Sequence, residues 1–81
     1  MKTLEQHKAL LKHTIFYASD FVDGNIAKKW WRKQFKQAAE MPIDVLKVWA
    51  SYMIDHLYDF ADSASYIRDE VKNQLLEIVY L

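Results

Sequence analysis

Cysteine is absent from this chain, which excludes a disulfide framework, a thiolate zinc site and a thiol nucleophile. With one glycine in 81 residues there is no glycine-rich loop to cradle a phosphate, and with one proline there is no proline-rich linker. Neither sign of charge dominates, since 11 Lys and Arg balance 11 Asp and Glu. A dedicated nucleic-acid domain is usually clearly basic. Long apolar runs are missing too. Glu5, Lys8, Lys12 and His13 interrupt the apolar residues of the N-terminal stretch, so neither a signal peptide nor a membrane span is expected there, and the expected site of action is the cytoplasm.

What the chain does have is apolar and aromatic mass. Hydrophobic residues make up 52 %, including three Trp, five Tyr and four Phe. That is the composition of a packed helical protein rather than of a disordered one. A chain of this length forms one domain, residues 1–81, with a folded surface near roughly 5,000 Å² against roughly 14,000 Å² unfolded. A deep substrate cavity would consume much of so small a core, which argues against an enzyme acting on a sizeable metabolite.

The periodicity predicts four helices in a small antiparallel all-α bundle. Thr3 and Gln6 form a capping-box pattern, and Leu4, Leu11, Ile15, Ala18 and Val22 recur at helical spacing, giving a first helix over about 4–22. Asp23, Gly24 and Asn25 stop it, the glycine standing where a helix end needs a positive φ. A second helix, about 26–40, sets Ala27, Trp31, Phe35 and Ala38 on one arc as its core side. Lys28, Lys29, Arg32, Lys33 and Lys36 fall on a separate arc roughly 140° wide, with Trp30 on the border between the two.

Pro42 and Asp44 open a third helix over about 43–61 that is apolar on most sides, the pattern of a central, most buried element. Residues 62–65 read as a break, with Ser65 as N-cap of a last helix over about 66–80 that buries Ile67, Val71, Leu75 and Ile78. The alternative is three helices, the last running unbroken from residue 43 to the end. Only Gln74 is out of register in that seam, and at nearly 60 Å the helix would imply a homodimer.

Charge is balanced overall but segregated. Five basic residues crowd the second helix, while Asp44, Asp55, Asp59 and Asp62 stripe the third. In an antiparallel hairpin Lys28 would lie near Asp55, and the basic face would then be partly neutralised. The other reading is a partner-binding surface made of Lys28, Lys29, Trp30, Arg32, Lys33 and Lys36, the cations matching an acidic protein and Trp30 anchoring the contact.

No catalytic constellation is legible. The serines lack a nucleophile elbow, and His7 and His13 lie on different helix faces. Asp55, Asp59 and Asp62 with His56 lack the spacing of a bundle metal site, so neither metal nor cofactor is expected. The sequence therefore predicts a non-enzymatic protein-binding module, an inhibitor or adaptor that occupies a partner protein's surface, in the style of a phage- or plasmid-encoded protein. The alternatives are nucleic-acid binding through the basic face, or a homo-oligomeric structural protein.

Overall fold

A computed structural model describes residues 2–81 as four α-helices: α1 (Leu4–Ala18), α2 (Asn25–Ala38), α3 (Ile43–Ile54) and α4 (Ser65–Val79). The folded surface is 5250 Å², in line with the scaling expectation. The bundle reading therefore holds, and the unbroken 43-to-end helix does not form. Ten residues, 55–64, separate α3 from α4 and include two short 3-10 turns, Leu57–Asp59 and Asp62–Ala64.

Both ends of α1 follow from local chemistry. Thr3 Oγ1 accepts from the Gln6 amide at 3.2 Å while Gln6 Oε1 accepts from the Thr3 amide at 2.8 Å, so the predicted capping box is formed. The helix stops at Ala18 rather than at 22. Ser19–Phe21 tighten into a 3-10 turn, and Val22 turns extended at φ −81°, ψ 133°. Gly24 does take a positive φ, +90°, but as the N-cap of α2 rather than as the end of α1.

Val22 leaves the helix because its segment pairs with the α3–α4 connection. Val22 and Phe60 form an isolated antiparallel bridge; the Asp23 amide donates to the Asp59 carbonyl and the Ala61 amide to the Phe21 carbonyl, both at 2.9 Å. These bonds satisfy backbone groups that would otherwise lie unpaired against the core. The third helix is correspondingly shorter than expected, ending at Ile54 instead of 61. It is also not covered on most sides, since Ile43, Val45, Val48 and Tyr52 are all exposed. One side of its apolar surface faces outward.

Ser65 begins α4 as a helical residue, and Ala64, without a capping side chain, precedes it; the expectation of a Ser65 N-cap is overturned. The predicted inner face of α4 is correct, with Ile67, Val71, Leu75 and Ile78 all buried. Gln74, the misfit of the apolar register, is explained by α1: its amide donates to Thr14 Oγ1 at 2.7 Å inside the α1–α4 contact. Nearer the rim of that contact the Tyr17 hydroxyl donates to Glu70 at 2.9 Å. Desolvation first, then this bond, raise the Tyr17 pKa above its ordinary value, so the phenol stays a donor.

The break between α3 and α4 makes a prediction whose sign separates the two architectures. Ala61 is extended at ψ 141°, as a residue before proline prefers, and Asp62 opens a 3-10 turn. Asp62→Pro should therefore be neutral or stabilise the fold by up to about 1 kcal/mol in urea titrations, by restricting the unfolded chain. In an unbroken helix the same change would cost about 3 kcal/mol.

Candidate functional site

The core positions of α2 are those the periodicity gave. Trp31, Phe35 and Ala38 are buried, and Trp31 Nε1 donates to the Asp59 carboxylate at 2.9 Å. That bond ties α2 to the turn after α3. Among the described residues no group of three or more His, Asp or Glu side chains could hold a metal ion.

The basic residues of α2 are not all placed alike. Arg32 is turned toward the end of α1, where its Nε donates to Ser19 Oγ at 2.9 Å and its Nη2 pairs with Asp20 at 2.8 Å. Its charge is already matched. Lys28 is half-buried, and no ion pair joins it to Asp55 among the described residues, so the expected hairpin neutralisation is not found. Lys29, Lys33 and Lys36 remain as an exposed ridge at i, i+4 and i+7, without an acidic partner among the described residues. Of the five cations Arg32 alone is paired with an acidic side chain among the described residues, and three of the other four are exposed.

Trp30 is half-buried and belongs to the α3 side of the helix. Its ring packs on Trp31, Tyr52 and His56 at centroid distances of 5.9, 6.3 and 5.0 Å. His56 is fixed in turn by Nδ1 at 3.0 Å from the Tyr52 carbonyl and by the Tyr52 ring at 4.5 Å. The contact that keeps Trp30 on the border is thus an aromatic cluster with α3. Arg32 lies roughly 160° from it around α2, so tryptophan and arginine address opposite neighbours.

Two surfaces result. The first is a groove of about 540 Å³ between α1 and α2, floored by Ile15 and Phe35, with Lys12, Lys36, Glu40, Asp20 and the bonded Arg32 on its rims. Phe16 forms one wall and is 80 % exposed. At one end, Lys8 Nζ donates to the carbonyls of Ala39 and Met41 at 3.2 and 2.7 Å, capping α2 and fixing its spacing from α1. The second is the outer side of α2 and α3, where Ile26, Val45, Val48 and Tyr52 are exposed around Trp30. A shallow depression lined by Ile26, Trp30, Tyr52 and His56 marks one end of it.

Sequence reasoning missed Phe16, Lys12, Ile26, Val45 and Val48. Phe16 and Ile26 had a usable signal, because each stands off the core arc of its own helix; Ile26 is roughly 140° from Trp31. Val45 and Val48 had none, since the apolar breadth of α3 reads equally as deep burial. No protein-family model, curated protein or solved structure matches this chain.

Proposed function

We propose that the chain is a non-enzymatic protein-binding module, an inhibitor or adaptor of the cytoplasm that works by occupying an acidic surface of a partner protein. The observation that carries this reading is the α1–α2 groove. Its floor is apolar, Phe16 stands exposed at its wall, and Lys12 and Lys36 flank it without an acidic partner among the described residues. An exposed aromatic over an apolar floor is the kind of residue in which interface centres are enriched, and lysines at the rim complement an acidic partner. The partner that fits is an acidic amphipathic segment, with apolar side chains in the groove and carboxylates against Lys12 and Lys36. Arg32 holds the groove wall through Asp20 and Ser19, and Lys28 and Trp30 stand outside it.

Affinity capture from the lysate of the native host, run in parallel with Phe16→Ala and with Lys12→Glu/Lys36→Glu, tests the reading. A protein retained by the parent chain and lost from both variants is the expected result. All the substituted side chains are exposed, so helix content by circular dichroism should not change. A captured protein indifferent to both variants would overturn the groove. Capture of nucleic acid, with affinity falling log-linearly as salt rises, would replace the reading by its nucleic-acid alternative.

A further inference from the structure

The outer side of α2 and α3 carries charge of both signs in an ordered arrangement. Lys29 and Lys33 are exposed along its α2 edge, and Asp44 and Asp55 along its α3 edge. Between them lie Ile26, 88 % exposed, and Val48, 72 % exposed, with Val45 and Tyr52 beside the half-buried Trp30. Around each helix at about 100° per residue the order is the same: Lys33, Ile26, Trp30 crossing α2, then Tyr52, Val48, Asp55 crossing α3. Lys47, the one lysine of α3, is turned elsewhere and donates to the Leu81 carbonyl at 3.2 Å. The acidic edge therefore keeps its sign.

From this arrangement we infer that the α2–α3 side is a homodimer interface, occupied by a second copy of the chain. The argument is self-complementarity. When two such sides meet about a two-fold axis parallel to the helices, apolar centre meets apolar centre and each lysine edge meets the acidic edge of the other copy. Such an axis also preserves level along the helices. Trp30 meets Tyr52 and Gln34 meets Trp49, so α2 and α3 run antiparallel with Lys29 at about the level of Asp55. Lys29 then stands opposite the Asp55 of the second copy, with Lys33 next to it, while Asp44 is level with Glu40, so the Lys29–Asp55 end sets the register. An in-plane axis perpendicular to the helices would set lysine against lysine, so the charges select one of the two arrangements.

The magnitudes agree. The molecule measures 31 × 21 × 20 Å, so one long side is of the order of the roughly 800 Å² that each partner contributes to a standard interface. Zero formal net charge leaves little overall repulsion between copies. Rim ion pairs add little affinity, so the apolar centre supplies most of it and the edges fix the register. The α1–α2 groove lies on a different side of α2 and stays open in this dimer.

Sedimentation of the full chain across micromolar to millimolar concentrations tests the inference, with circular dichroism confirming equal helix content in every variant. The parent chain should dimerise reversibly. Val48→Glu should raise the dissociation constant by at least about tenfold, as loss of a central anchor does. Lys29→Glu/Lys33→Glu and Asp44→Lys/Asp55→Lys should each be monomeric alone, one with two acidic edges and the other with two basic ones. Mixed in equal amounts, these two variants should form a heterodimer. A parent chain that stays monomeric throughout the range would overturn the inference. So would failure of the mixture to associate while the parent dimerises, since charge complementarity then plays no part.

Discussion

Trp31→Ala should bring the protein to the edge of unfolding at room temperature. Trp31 is completely buried, and its ring packs against Phe35 at 5.9 Å and Phe60 at 5.0 Å, joining α2 to the α3–α4 connection. Removing so large a buried side chain costs about 3–5 kcal/mol through lost transfer energy and the cavity left behind. A domain of this size has only about 4–12 kcal/mol in total. The substitution also strands the Asp59 carboxylate, which loses the Nε1 donor at 2.9 Å. Trp31→Phe separates the two effects: it keeps part of the ring contact and loses the donor, and should cost less than Trp31→Ala by about 1–3 kcal/mol. Urea titrations followed by far-ultraviolet circular dichroism give both numbers. A loss below about 1 kcal/mol for Trp31→Ala would contradict the packing described for α2.

The legibility of this fold in its sequence depends on which interaction sets each feature. Thr3, Gln6, Trp31, Phe35 and the Ile67-to-Ile78 face act through contacts a few residues apart or through a regular arc, and each is found as the pattern indicates. Residues 19–22 and 55–61 are different. Their period continues that of the preceding helix, and nothing local ends it; the Asp23–Asp59 and Ala61–Phe21 backbone bonds do, across nearly forty residues of chain. Long-range pairing overrode a helical period that was itself real.

The candidate site follows the same division. That α2 is basic on its outer arc is legible, but which cations are free is not, because Arg32 meets Asp20 only through the fold. Trp30 is at the border as its angle indicates. Its cluster with Tyr52 and His56 depends on where α3 lies, and so does the exposure of Val48. An apolar helix reads as central only when neighbours cover it on every side, and α3 packs chiefly on α4, leaving Val45 and Val48 uncovered.

The consequence of that long-range pairing is the second large effect. Phe60→Ala should destabilise the protein by about 3–5 kcal/mol, as much as a core tryptophan, although Phe60 lies outside every helix. Phe60 is almost fully buried against Trp31 in an edge-to-face contact, and it bridges Val22. Tyr58, two residues earlier and 75 % exposed, supplies the control: Tyr58→Ala should stay within about 0.5 kcal/mol of the parent. The Trp31→Ala/Phe60→Ala double variant should lose less than the sum of the singles by about 0.5–1.5 kcal/mol, the worth of one aromatic pair. Hydrogen exchange locates the effect. The Asp23 and Ala61 amides, which donate across the two connections, should lose protection in Phe60→Ala by more than the amides inside α1 do. Uniform loss over the whole chain would mean that the paired connections and the helices open as one unit, and that Phe60 acts on the bundle rather than on the clasp that ends α1 and α3.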